Sequence, residues 1–267
     1  MDTKRLKVLK GMMGATQTHI RESLRRLKTL FGATSVKLST EDAAMSFEQI
    51  RRWRAICQGV IPVVVKTGGP NARNDIKQLL NLEVEGLIAP MVESVYGLDN
   101  YIEALKDYTT AMRFESLDKH INIETIVALE NLDKILNSSS IQYVDEITIG
   151  RKDLSRSMNC ELDNSDLIHV VKEAVEKIRF KGIPVSVGGG INPNSIDGVV
   201  KQIKPQKINT RLITFDVQAN RSYKESVIEA LNFEVLALKN DHSMGFISRE
   251  EESCRSQEIQ ERLNYDL

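Results

Sequence analysis

The sequence has little of what several function classes require. Cysteine occurs three times in 267 residues, as Cys57, Cys160 and Cys254. An odd number of widely separated thiols excludes a disulfide framework and a cysteine-based zinc cluster, and it fits a reduced, cytoplasmic setting. Histidine occurs four times, as His19, His120, His169 and His242, and none follows a predicted strand. That excludes a Ser-His-Asp arrangement and an imidazole metal site at the positions where a barrel would need them. No apolar run approaches the roughly 18 residues that span a bilayer. The opening Met1-Asp2-Thr3-Lys4-Arg5-Leu6 lacks the apolar centre of a signal peptide. Charge of one sign is not in excess either: Lys and Arg number 36 against 37 Asp and Glu, so no global field favours nucleic acid or an anionic membrane.

What is present reads as one globular α/β domain. Hydrophobic residues at 41% and charged residues at 27% are ordinary for a soluble fold, and the length suits a single barrel. Residues 4–31 read as helical. Leu6, Val8, Leu9, Met12 and Met13 recur at mixed helical spacing, Ile20, Leu24, Leu27 and Leu30 form an apolar stripe, and Phe31-Gly32-Ala33 supplies the stop. The basic cluster Arg21, Arg25, Arg26 and Lys28 reads as a solvated face, with an anionic partner left open.

A regular alternation follows. Strands are expected at 35–39, 61–66, 85–89, 121–124, 144–149, 184–187 and 208–215. Helices are expected at 46–56, 74–82, 95–108, 127–136, 165–180, 195–203 and 223–238. Apolar strands alternating with helices argue for a parallel sheet, and this many repeats argue for a TIM (β/α)8-type barrel. The count is one strand short. Either residues 8–13 supply a weak first strand, or the barrel is incomplete or helix-plugged there. The domain divides into an N-terminal helical segment (1–33), a barrel core (34–217) and C-terminal helices (218–267). The polar stretch from about 240 onward, with a helical run at 256–263, reads as an extension that packs on a neighbouring subunit, on the barrel's outside, or not at all.

In a parallel barrel the chemistry sits at the C-terminal ends of the strands. Those ends carry Lys37, Glu41 and Asp42; Lys66 and Gly68; Glu124; Gly150 and Asp153; Gly188-Gly189-Gly190; and Arg211 and Asp216. Glu124 and Asp153 end consecutive strands and so face one pocket. Oxygen ligands without imidazole point to a hard cation, Mg²⁺ or Mn²⁺. Such an ion chelating a 2-oxo acid stabilises the charge of an enolate, and Lys66 aimed at the same oxygen adds to that. Gly68, Gly150 and Gly189 let backbone N–H groups approach an anionic substrate. Lys37 and Arg211 are either substrate ligands or charge balance. Glu93 either faces the pocket or caps the next helix, and Met91 and Trp53 read as core packing.

Four runs carry a family resemblance: Val64-Val65-Lys66-Thr67-Gly68-Gly69, Gly86-Leu87-Ile88-Ala89-Pro90-Met91-Val92-Glu93-Ser94, Asn122-Ile123-Glu124-Thr125 and Ile149-Gly150-Arg151-Lys152-Asp153-Leu154-Ser155. In order and spacing they resemble the HpcH/HpaI aldolase/citrate lyase family over about residues 34–217, and Thr40-Glu41-Asp42-Ala43 is similar to the Leu-Glu-Asp-Ala block of its citrate lyase β-type members. The resemblance implies a TIM barrel of the phosphoenolpyruvate/pyruvate-binding type and matches Glu124 and Asp153 to the family's metal-binding carboxylates. Two positions depart from the pattern. Asp42 stands where aldolase members place a histidine, and Lys66 stands where the family usually has an arginine, keeping the charge without the bidentate fork.

The expectation is therefore a divalent-metal-dependent carbon–carbon lyase or aldolase acting on a pyruvate- or oxaloacetate-like 2-oxo acid. Glu41, or a metal-bound water oriented by Glu41 and Asp42, would move the proton. The alternatives are an inactive barrel serving as a binding or assembly subunit and another enolate reaction of the same superfamily. The family's habit and the charged C-terminal stretch favour a homo-oligomer, with no nucleic-acid or membrane partner.

Overall fold

A computed structural model of the chain describes residues 3–263, with side chains from residue 17 onward. Eight strands close into a barrel in chain order: β1 (Ala33–Ser39), β2 (Val63–Lys66), β3 (Gly86–Ala89), β4 (Asp118–Ile123), β5 (Glu146–Gly150), β6 (Val185–Gly188), β7 (Lys207–Asn209) and β8 (Ile213–Asp216). The helices are α1 (Thr3–Phe31), α2 (Phe47–Cys57), α3 (Arg73–Asn81), α4 (Val95–Tyr108), α5 (Ala111–Ser116), α6 (Ile126–Glu130), α7 (Leu132–Leu136), α8 (Arg151–Ser157), α9 (Ser165–Phe180), α10 (Ile196–Ile203), α11 (Lys224–Ser243) and α12 (Arg249–Leu263). No helix among the described residues is long and apolar enough to cross a membrane.

The strand that completes the barrel is not at the N-terminus. Residues 8–13 are helical, inside α1, and the side chains of Leu6, Val8, Leu9, Met12 and Met13 lie outside the described residues. Instead, the single strand expected at 208–215 is two strands. Thr210-Arg211-Leu212 turns the chain back, with the Thr210 N–H donating to the Ile213 carbonyl at 2.9 Å and the Ile213 N–H to Thr210 Oγ1 at 3.1 Å. β8 therefore runs antiparallel to both β7 and β1, while β1 to β7 pair in parallel. Reversal carries Asp216 to the foot of the barrel opposite Lys207, away from the C-terminal mouth where a single strand would have placed it.

Each strand divides its residues between two faces. Val36 and Leu38, Val63 and Val65, Ile121 and Ile123, Ile147 and Ile149, and Val185 and Val187 are buried in the apolar layer beneath the helices. Their neighbours Lys37, Asn122, Thr148 and Asn209 line the cavities inside the barrel. The apolar core thus lies between sheet and helices, and the barrel interior is largely polar, with Val64 and Ile88 as apolar contributions.

A hairpin between β7 and β8 leaves no room in the chain for a crossover helix there, and α1 packs against α11, α2 and β1. Ile20, Leu24 and Leu27 of its stripe are buried, while Leu30 is exposed. The basic face beside that stripe is not purely solvated. Arg21 donates to the carbonyls of Ile56 and Gln58, Lys28 to the carbonyl of Val60 at 2.7 Å, and Arg26 pairs with Glu229 at 3.2 Å. Cations placed on the C-terminal carbonyls of α2 satisfy acceptors that the helix leaves open. At the other end of the chain α12 packs on α11 of the same chain and borders the mouth of the barrel, so the C-terminal extension is neither a solvated tail nor a purely external addition.

If α1 is part of the core, Leu24→Ala should cost about 2–5 kcal/mol, the range for a fully buried leucine. Thermal unfolding measures this, and a midpoint equal to the wild type's would show α1 to be an appendage.

Candidate active site

At the C-terminal mouth a cavity of about 680 Å³ is lined by Lys37, Glu41, Asp42, Lys66, Glu124, Gly150, Asp153, Gly189 and Arg211. All the site residues picked from the sequence meet there except Gly68. The Gly68 N–H is taken by Asp75 Oδ2 at 3.0 Å, so it anchors its loop and has no amide to offer a substrate. The same Asp75 oxygen accepts from Thr40 Oγ1 at 2.6 Å, which ties the loop after β1 to the loop after β2.

The first loop is shaped by Ser39, whose hydroxyl accepts the N–H groups of both Glu41 and Asp42 at 3.1 Å. Their carboxylates then converge on Lys66 from β2, with Nζ 2.6 Å from Glu41 Oε2 and 3.3 Å from Asp42 Oδ1. Arg211, in the hairpin turn, lies 3.8 Å from Asp42 Oδ2 and donates to the Asp42 carbonyl at 3.2 Å. Burial works against the charge of Lys66, but Asp42 and Glu41 outweigh it and hold the ammonium above its ordinary range. Burial likewise opposes ionisation of Asp42, yet Lys66, the Ser39 hydroxyl and Arg211 together pull its carboxyl down to about 2. A group that acidic is a poor proton acceptor near neutrality. Asp42 contacts Lys66 and Arg211, which suits the orienting part expected of it beside Glu41.

Glu124 sits at the end of β4, buried, with Oε1 accepting the Met91 N–H at 3.0 Å and Oε2 accepting Asn122 Nδ2 at 3.2 Å. Met91 holds that amide in place from a left-handed backbone, φ 55°, which is uncommon for a residue with a side chain. Met91 is also half exposed, so it is not the core residue its apolar character suggests. Glu93 neither faces the cavity nor caps the next helix. It accepts Thr125 Oγ1 at 2.6 Å, while Ser94 caps α4 by accepting the Gly97 N–H. Trp53 is core, packed edge-on against Phe233 at 6.1 Å.

Asp153 lies in the first turn of α8, which starts directly at the end of β5. Two glycines make this geometry possible. A Cβ on Gly150 would come within 2.7 Å of Glu124 Oε2. Gly189 adopts φ +83°, and a Cβ there would collide with the backbone nitrogen of Lys152. Gly189 therefore seats the turn that carries Asp153.

A hard divalent cation fits these donors. Burial, followed by the repulsion of Asp153, raises the Glu124 carboxyl above its ordinary range against the opposing pull of Lys66 and the Met91 N–H. A cation between the two carboxylates removes that penalty. Asn122 Oδ1, buried in the cavity wall, has no hydrogen-bond partner among the described residues and is a further oxygen facing the same space. No group of three or more His, Cys, Asp or Glu converges among the described residues, so the protein would supply few ligands and leave the rest to water and substrate, as Mg²⁺ sites commonly do.

Some lining residues were invisible to motif reasoning. Asn122, Thr148 and Asn209 could have been found as polar residues inside apolar strands. Arg255, Glu258, Ile259, Glu261 and Arg262 of α12 carry no such signal; they reach the mouth because Arg262 donates to the Ile191 carbonyl at 2.7 Å and pairs with Glu234 at 3.5 Å.

Fold and site together define a TIM-type barrel with an acid-and-lysine cluster at its C-terminal mouth. Residues 39–188, more than half of the chain, match HpcH/HpaI aldolase/citrate lyase, and the chain belongs to that family of aldolase/citrate lyase-type enzymes. No curated protein matches the sequence. Among solved structures, an HpcH/HpaI aldolase from Desulfitobacterium hafniense DCB-2 superposes with a TM-score of 0.58 at 17% identity, over 78% of this chain and 86% of that one. An HpcH/HpaI aldolase/citrate lyase family protein from Burkholderia cenocepacia J2315 gives 0.58 at 14% identity, over 71% and 82%. The citrate synthase SbnG gives 0.54 at 16% identity, over 63% and 74%. At these identities the likeness is one of fold.

The acidity of Asp42 sets a pH dependence. Its folded value of about 2 lies below the ordinary 3.8, so its stabilising contribution is full above about pH 4 and is lost as pH falls through 2. Acid unfolding followed by circular dichroism should show wild type losing more stability than Asp42→Asn between pH 4 and pH 2. Parallel curves would show the pair to be uncoupled from folding.

Proposed function

We propose that this chain is a divalent-metal-dependent carbon–carbon lyase acting on a pyruvate- or oxaloacetate-like 2-oxo acid. The observation that carries the reading is the convergence of Glu124, Asp153 and Lys66 on one cavity of a barrel in a lyase family. Glu124 and Asp153 would hold Mg²⁺ or Mn²⁺, which supplies Lewis-acid stabilisation of an enolate oxygen. The chain's own residues do the rest. Lys66, kept cationic by Asp42 and Glu41, presents a fixed positive charge to the oxygen that becomes negative as the carbon–carbon bond breaks. The Asp75 and Ser39 hydrogen bonds hold the loop that carries those two carboxylates, so little reorganisation is needed when charge develops. Helix α12 borders the mouth and reduces the access of bulk water to the reacting carbon. Arg211, engaged with Asp42, serves charge balance and loop closure more than substrate binding.

The test is cleavage of 4-hydroxy-2-oxo acids with and without EDTA, in wild type and in Asp153→Ala. EDTA or the substitution should each lower the rate by at least about 100-fold, the usual scale for losing one electrostatic stabiliser. Cleavage that persists under both treatments rules the mechanism out, and release of carbon dioxide without an aldehyde would assign a different enolate reaction.

A further inference from the structure

With Asp42 held at about 2 and Glu41 bonded to the Lys66 ammonium, the cavity needs another group to carry the proton of an aldol reaction. No histidine lines it, Lys66 is held in its charged form, and Glu124 and Asp153 are the candidate metal ligands. Glu258 and Glu261 on α12, and Lys152 on α8, line the cavity as exposed residues. Lys37 remains.

Lys37 projects inward from β1, and its side chain lines both the upper cavity and a second one of about 140 Å³ at the foot of the barrel. Among the described residues its Nζ makes no hydrogen bond or ion pair, whereas Lys66, Lys119 and Lys207, the other lysines on the strands, are each paired with a carboxylate. An amine at this depth without a counter-ion is costly in its charged form. From above it faces Lys66, Asp42 and Glu124, and Glu234 acts on it from α11. From below, the foot cavity brings Asp118, His120, Asp145, Glu146 and Lys207, with Lys207 and Glu146 neutralising each other at 2.6 Å.

We propose that Lys37, as the free amine, is the general base and acid of the reaction. The inference rests on the lyase reading above. In cleavage, the Lys37 nitrogen takes the proton from the 4-hydroxyl, the C3–C4 bond breaks, its electron pair becomes the enolate, and the aldehyde leaves. The Lys37 ammonium then returns the proton to C3, giving the 2-oxo acid and restoring the amine. The half-reaction on pyruvate is the same transfer in reverse: the amine removes a methyl proton and the ammonium gives one back. Burial, and after it the repulsion of Lys66, lowers the Lys37 value from its ordinary range despite Asp42, Glu124 and Glu234, which is the direction that a base requires.

The test is exchange of the pyruvate methyl protons in D₂O with Mg²⁺, followed by NMR across pH, in wild type, Lys37→Arg and Lys37→Met. Binding of oxalate, an enolate mimic, is measured in parallel by calorimetry to show that each variant retains a folded site. Arginine keeps the positive charge and cannot act as a base. The expected result is a loss of about 100-fold or more in Lys37→Arg with oxalate binding retained, together with loss of the acid limb of the wild-type pH profile. Exchange in Lys37→Arg within about threefold of wild type, or an unchanged acid limb in either variant, overturns the assignment and leaves Lys37 a simple cation. Oxalate binding lost along with exchange in both variants also overturns it, because Lys37 then acts in binding. Wild type that catalyses no exchange defeats the lyase reading itself, and the inference falls with it.

Discussion

The structure depends on one constraint: the barrel strands have an apolar outer face and a largely polar inner one, with Val64 and Ile88 the apolar exceptions. Hydrophobic burial is therefore supplied by the layer between sheet and helices, which leaves the interior free for groups that a packed barrel would exclude. The cost is that buried polar atoms must find partners. Outside Asn122 Oδ1, the inward polar residues of β5 to β8 do so in a hydrogen-bonded chain across strands. Thr148 and Ser186 hydroxyls meet at 2.8 Å, Asn209 donates to Ser186 at 2.9 Å, and Thr214 donates to Asn209 at 2.7 Å. Below that belt Lys207 neutralises Glu146; above it the active-site charges begin. The belt includes β8, so the antiparallel strand closes the interior network as well as the barrel.

Much of this was legible in the sequence, because strand–helix alternation is a periodic signal and most expected elements occur within a residue or two of their predicted limits. The missing eighth strand was hidden for a physical reason. Thr210-Arg211-Leu212 contains no glycine or proline, and its turn is held by the Thr210 side chain and backbone with strand-forming residues on both sides. The short helices α5 and α8 escaped because one or two turns give too few residues to establish a period. The extent of α12 escaped because it buries little apart from Ile259, so it has no apolar stripe to read.

The site was legible to a different degree. Strand-end carboxylates and Lys66 follow from topology alone, since a parallel barrel brings such ends together. Roles did not follow, because they depend on which neighbour each group meets. Gly68 looks like an anion cradle until Asp75 is seen to take its amide. Met91 looks like core until its backbone is seen to hold Glu124. Asp42 and Glu41 look equivalent, and both meet Lys66 and Ser39, yet it is Asp42 that also meets Arg211.

These contacts decide which cations and anions of the cavity pair with one another. Lys66 is claimed by Glu41 and Asp42 on the β1–β2 side, and Glu124 is held on the other side by the Met91 amide and Asn122. Each charge is fixed by a partner that belongs to its own side of the barrel. Gly150 lets the next strand pass close against Glu124, and Gly189 seats the turn bearing Asp153. Among the described residues Glu124 and Asp153 form no ion pair with Lys66, and the polar space between them stays open. Lys37, without a carboxylate of its own, opens onto that space from β1. A substitution that gave it one would stabilise the barrel's charge balance while closing the gap that the proposed chemistry requires.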